Sequence, residues 1–100
     1  MFQTKTVTIG AAGTDSNAVD VEGSTQIVVY PPAVLDATTF TLQASADGVA
    51  FADVQTAGAI PADVVFAASK VLAVPGCFKA IRIEAGAAVA ADRVFVIQTL

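Results

Sequence analysis

The sequence has no histidine and no tryptophan, one cysteine, one tyrosine, and 14% charged residues over 100 positions. Each shortage closes a class of function. Without histidine there is no imidazole to serve as a general base near neutral pH, to activate a serine, or to join cysteine in a zinc site. A single cysteine forms no disulfide within the chain. The Cys77 thiol has no evident base to ionise it, so it reads as a small packing residue. Ser16, Ser24, Ser45 and Ser69 sit in no G-x-S-x-G turn. The expectation is a protein that is not an enzyme and holds no cofactor.

Positive charge is also scarce: five Lys/Arg stand against nine Asp/Glu, a net charge of −4. No two of Lys5, Lys70, Lys79, Arg82 and Arg93 are adjacent, so no basic patch for nucleic acid or an anionic membrane is visible. The longest uncharged stretch, Gly23 to Leu35, contains two prolines and falls short of the roughly 20 apolar residues of a membrane-spanning helix. Met1 to Lys5 lacks the basic start and apolar run of a secretory signal, so use without export by that route is expected.

What is abundant is apolar and small. Hydrophobic residues make up 55% of the chain, and 21 of them are alanine, which buries little area per residue. A domain of this size leaves much of its surface exposed, so the apolar surplus calls for a partner surface or self-association. The isolated monomer is expected to be modestly stable.

Short period-two runs of Val, Ile, Thr and Phe, punctuated by Gly, Pro, Asp and Asn, predict an all-β chain. In the first run Val7 and Ile9 share a face with Gln3 and Lys5, while Thr4, Thr6 and Thr8 share the other with Phe2. Gly10 to Asn17 reads as a polar loop, Ala18 to Val21 as a short strand, and Ser24 to Tyr30 as a central strand stopped by Pro31-Pro32. Phe40, Leu42 and Ala44 alternate with Thr41, Gln43 and Ser45. Asp47-Gly48 then predicts a type I′ hairpin into Val49, Phe51 and Asp53-Val54. Pro61 to Lys70 admits either a short helix, capped by its proline and lysine, or a strand through Val64-Val65-Phe66. Phe78 to Glu84 and Arg93 to Thr99 read as strands, joined by the uncharged connection Ala85 to Ala91. About eight short strands imply one antiparallel β-sandwich over residues 1–100, jelly-roll or immunoglobulin-like, with residues 1–17 as a candidate N-terminal arm and loop.

No chemical constellation stands out. Asp47 is accounted for by its turn, and Asp92 with Arg93 opens a strand. The best metal candidate, Asp15 to Glu22, lacks the Gly and Glu of a calcium-binding loop, and a solvated loop is the simpler reading. Gly10-Ala11-Ala12-Gly13 is followed by neither lysine nor a helix start, so it is no phosphate cradle. Phe40, Phe51, Phe66, Phe78 and Phe95 lie in apolar-patterned segments and are expected in the core.

The segments Thr39-Phe40-Thr41-Leu42-Gln43-Ala44-Ser45-Ala46-Asp47-Gly48-Val49-Ala50-Phe51, Phe66 to Leu72, Phe78-Lys79-Ala80-Ile81-Arg82-Ile83-Glu84-Ala85-Gly86 and Ala91-Asp92-Arg93-Val94-Phe95-Val96-Ile97 follow one another in a suggestive order. That order resembles small β-sandwich proteins of tailed-bacteriophage virions, especially head decoration or cement proteins. The resemblance covers residues 24–100. It implies a viral structural protein made in the host cytoplasm and placed on the capsid exterior, often as a homotrimer, with the major capsid protein as partner. The expected contact residues are Lys5, Val7 and Ile9 of the first strand, Ala87 and Val89 of the small-residue connection, and Lys79, Arg82 and Arg93 as charged anchors. On this reading, removing residues 1–9 abolishes capsid binding and leaves a folded sandwich. A tail, baseplate or head-fibre module, and a glycan- or host-surface-binding domain using Tyr30, Asp47-Gly48 or the acidic loop, are the alternatives.

Overall fold

The computed structural model describes residues 3–56 and 62–100, so Phe2 and Pro61 lie outside the described residues. Among the described residues there are eight strands: β1 (Gln3–Ile9), β2 (Val19–Asp20), β3 (Gln26–Tyr30), β4 (Phe40–Ser45), β5 (Ala52–Asp53), β6 (Leu72–Pro75), β7 (Ala80–Ala85) and β8 (Arg93–Thr99). They form two antiparallel four-stranded sheets, β1-β8-β3-β6 and β2-β7-β4-β5. The chain is the all-β sandwich its alternation predicts.

The pairing is nested. β1 pairs β8, β2 pairs β7, β3 pairs β6 and β4 pairs β5, and the two sheets are completed by β3 against β8 and β4 against β7. This is one long hairpin rolled up, which is the jelly-roll topology. An immunoglobulin-like sandwich would instead pair the first strand with the second.

Period-two alternation places one side of every long strand in a shared core. Val7, Ile9, Ile27, Val29, Phe95 and Ile97 enter it from the first sheet, and Phe40, Leu42, Ile81, Ile83 and Ala85 from the second. Phe95 lies 6.0 Å from Phe40 and 5.8 Å from Phe66, ring centroid to centroid, in tilted geometry. Burying a side chain of this size contributes about 1.5–3 kcal/mol, so this cluster is the main source of stability.

Three expectations change in detail, and the choice left open for the segment before Lys70 falls on the extended side. The hairpin after β4 forms, but it is not type I′: among residues 46–51 only Gly48 has positive φ, at 82°. Asp47 instead turns its carboxylate back to accept from the Val49 and Ala50 amides at 2.8 and 3.0 Å and from the Ser45 hydroxyl. This widens the loop and leaves β5 two residues long. Residues 62–70 are not helical. Val65 bridges Thr41 and Asp63 bridges Gln55, which turns Val64 and Phe66 into the core. Cys77 is exposed rather than packed. Finally, Phe51 lies outside the core, beneath the Arg82 guanidinium at 4.5 Å.

The 10–17 loop and the connection between β7 and β8 bind each other. The Ala12 amide donates to Val89 O at 2.8 Å, Val89 N to Gly13 O at 3.0 Å, and Ala85 N to Thr14 O at 2.7 Å. Ala11 N donates to Asp92 Oδ1 at 2.8 Å. Residues 1–17 are therefore not a detachable arm in their described part. β1 is paired along its whole length with β8, and the following loop extends the edge of the second sheet through the Asp15–Glu84 bridge.

Candidate interaction surface

With the apolar set turned inward, register determines what each sheet shows on its outer face. On the first sheet Thr4, Thr6 and Thr8 stand opposite Gln98, Val96 and Val94. Val28 and Tyr30 flank Gln98 and Val96 on the other side, and Ala73 and Pro75 close the row beyond them. Tyr30 is 37% and Val94 43% exposed, and the Tyr30 hydroxyl donates to Gln98 Oε1 at 2.9 Å. None of these outward residues is charged. The two charged residues on these strands, Lys5 and Arg93, register with Ile97 and Ile9, on the inward side. Each therefore leaves the sheet at its margin: the Lys5 ammonium donates to the Asp20 carbonyl of β2, and Arg93 reaches Asp36.

The second sheet presents the opposite surface. Gln43 donates from Nε2 to Asp53 Oδ1 at 3.0 Å and accepts at Oε1 from Arg82 Nε at 2.7 Å. Arg82 also approaches Asp15 at 4.0 Å. Burial pushes the Glu84 carboxyl above its ordinary range, and neighbouring Asp15 and Asp53 push it the same way. At the β2 edge Lys79 pairs with Asp20 at 3.3 Å and Glu22 at 3.5 Å. The Glu22 amide and Lys79 hold the Asp20 carboxyl below its ordinary value, and Asp20 in turn raises that of Lys79. This face is covered by its own polar network.

The residues expected to contact a partner divide accordingly. Val7, Ile9 and Val89 are buried in the core and offer no surface, because β1 and the 86–92 connection are integral parts of the sandwich. Lys79, Arg82 and Arg93 are engaged with Asp20 and Glu22, with Gln43 and Asp15, and with Asp36, while Lys5 is held by a backbone carbonyl. Ala87 remains exposed. The candidate glycan residues are not gathered: Tyr30 lies on the first sheet, while Asp47 follows a strand of the second. Among the described residues no group of three or more His, Cys, Asp or Glu is placed to hold a metal ion, and no helix is long and apolar enough to cross a membrane.

Tyr30 is on the surface, as its place among the glycan candidates requires, whereas outward-facing Val28, Val94 and Val96 are not singled out by the sequence reading, although their signal is present. Ile27-Val28-Val29 and Val94-Phe95-Val96-Ile97 are continuous rather than alternating, the pattern of strands apolar on both faces.

No protein-family model matches the chain, and comparison with curated proteins gives no match. Among solved structures, the SPBc2 prophage-derived protein YomS is similar in fold: TM-score 0.69, 8% sequence identity, with 100% of this chain and 96% of that one covered. The Yersinia pseudotuberculosis-derived mitogen aligns at TM-score 0.44 and 11% identity, over 99% of this chain and 84% of that one. The likeness to YomS extends over both sheets and supports the all-β fold described above.

Proposed function

We propose that this chain is a non-enzymatic structural protein of a tailed-bacteriophage virion, which decorates and stabilises the outer capsid surface through contacts with the major capsid protein, as a homotrimer. The observation that carries this reading is the outer face of the first sheet, four strands wide and without a charged side chain. A monomer that covers one face with its own polar network and leaves the other uncharged, with Val94 and Tyr30 exposed on it, is suited to having the second covered by protein. Weak contacts of this kind become strong when repeated on a lattice. A net charge of −4 disfavours contact with packaged DNA and suits the capsid exterior, after synthesis in the host cytoplasm. The prophage origin of YomS supports placing the chain among phage proteins.

The test is to mix the purified protein with expanded capsids that lack it and to count bound copies. Saturation at hundreds of copies per particle is expected. A handful of copies at one vertex or on the tail would move the protein to a tail, baseplate or head-fibre position. No binding, together with hits on a glycan array, would replace the assembly reading with recognition of a host surface.

A further inference from the structure

We infer that the free edge of β6, with the groove beside it, is a strand-addition site. Its occupant is an extended segment of a partner protein, apolar at alternate positions and carrying a carboxylate towards its C-terminal end. The inference goes beyond the assembly reading and stands without it.

The backbone of β6 is bonded on one side only. In an antiparallel ladder, bonded and non-bonded pairs alternate. Gly76 N donates to Thr25 O at 3.0 Å, so these two residues form a bonded pair. Counting back in twos along the same register, Val74 with Ile27 and Leu72 with Val29 are bonded pairs as well. Gln26 agrees with this phase, because it exchanges both of its bonds with Leu100 and so turns away from β6. Ala73, opposite Val28, therefore directs its N–H and its C=O out of the edge of the sheet. Neither has a hydrogen-bond partner among the described residues. The backbone of an extended segment offers the matching acceptor and donor.

The other edges are covered or short. On β1, Asn17 Oδ1 accepts from Thr8 N, Lys5 reaches the Asp20 carbonyl and Ile9 bridges Ser16. The remaining edge strands, β2 and β5, are two residues long. On β6 only Pro75, its last residue, blunts the edge.

Side chains beside this edge suit an apolar strand. A groove of about 570 Å³ opens next to β6, lined chiefly by Val54, Val64, Val65, Leu72 and Val74. Val64 and Val74 are buried and Val65 is exposed, so the groove is apolar from core to surface. Alternate side chains of an added strand would enter it, and those between would face outward. Charge then sets the direction. Lys79, Arg82 and Arg93 are engaged with carboxylates and Lys5 with a carbonyl. Lys70, exposed two residues before β6, has no side-chain partner among the described residues. A strand antiparallel to β6 brings its C-terminal end towards Lys70, where a carboxylate is complementary. Asp63, the charged residue that lines the groove, already accepts from Gln55 Nε2 at 3.1 Å.

The test is an NMR titration of the intact, nitrogen-15-labelled chain with short peptides. These alternate threonine with valine, isoleucine, leucine or phenylalanine and end in glutamates. Saturable shifts centred on Ala73, with slowed exchange of its amide, are expected. The same peptides with their backbone amides methylated should not bind, since they cannot pair with the edge. Replacing the glutamates by lysines should weaken binding about two- to fivefold, and Lys70→Glu should reverse that preference. The inference is overturned if no peptide gives saturable shifts at β6 up to millimolar concentration, if methylated peptides bind as well, or if Lys70→Glu leaves the preference unchanged. Slowed exchange at Ala73 in the concentrated protein alone would also overturn it, by giving the edge to a second copy. Capsid binding is a separate measurement. A chain that binds capsids but no peptide keeps the decoration role and loses this site, and a chain that binds peptide but no capsid does the reverse.

Discussion

Arg93 Nε donates to Asp36 Oδ1 at 2.8 Å, and the two side chains are only 15% and 17% exposed. The other carboxylate oxygen, Oδ2, accepts from the Ala90 amide at 2.9 Å. One side chain thus ties the connection after β3 both to the start of β8 and to the loop before it. Charge-assisted bonds of this kind are strong because donor and acceptor are both ionised, and the low exposure of this pair limits screening by water. Arg93 and the Ala90 amide lower the Asp36 pKa below its ordinary 3.8. A depressed carboxyl contributes stability that is fully present above its unfolded pKa and is lost as pH falls through the folded one. Asp36→Asn should therefore lower the melting temperature at neutral pH. The gap from wild type should close only below about pH 3.8, which thermal melts against pH would show.

Glu84 works in the opposite sense. Burial first, then the neighbouring Asp15 and Asp53 carboxylates, raise its pKa above the ordinary 4.5. At neutral pH its ionised form is therefore a cost, and the fold gains stability as pH falls through the raised value, completing the gain below 4.5. Glu84→Gln should be more stable than wild type at neutral pH, and its advantage should shrink on acidification towards 4.5. A variant less stable at neutral pH would mean that Arg82 more than compensates the carboxylate.

These pairs also show where sequence reading stops. The bounds of β8 were legible, because Asp92-Arg93 opens a run whose Phe95 and Ile97 alternate with their neighbours. β3 was legible as central from its unbroken apolar run. β6 was not, because Pro75-Gly76 reads as a turn; the proline is tolerated since β6 is an edge strand. Alternation in β1 says that Val7 and Ile9 share a face but not whether core or partner covers it. Similarly, Lys79, Arg82 and Arg93 looked free because Asp20, Asp15 and Asp36 are far away in sequence and only the rolled topology brings them close.

The turn that starts the 10–17 connection depends on a close backbone approach. Gly13 N donates to Gly10 O at 2.8 Å, and a Cβ on Gly13 would lie 2.9 Å from that same oxygen. Backbone must move to admit it. Gly13→Ala should cost about 1–3 kcal/mol in urea unfolding, in the range of overpacked sites. Gly10→Ala, whose Cβ would have nothing within 4 Å, is the matched control and should be near neutral.

If β1 were only an assembly arm, removing residues 1–9 would leave the sandwich standing. The register argues otherwise: all seven residues of β1 are paired with β8, from Gln3 with Thr99 to Ile9 with Arg93, and Val7 and Ile9 are fully buried. Ile9→Ala alone should cost about 2–5 kcal/mol. Deleting the strand removes both side chains and opens β8, in the middle of the sheet, to solvent along its length. Domains of this kind have only about 5–15 kcal/mol in hand. The truncated chain should therefore show no cooperative unfolding transition by circular dichroism and no dispersed amide spectrum. A well-dispersed spectrum from the truncated chain would mean that the remaining seven strands close the core without β1, and would restore β1 as a candidate arm.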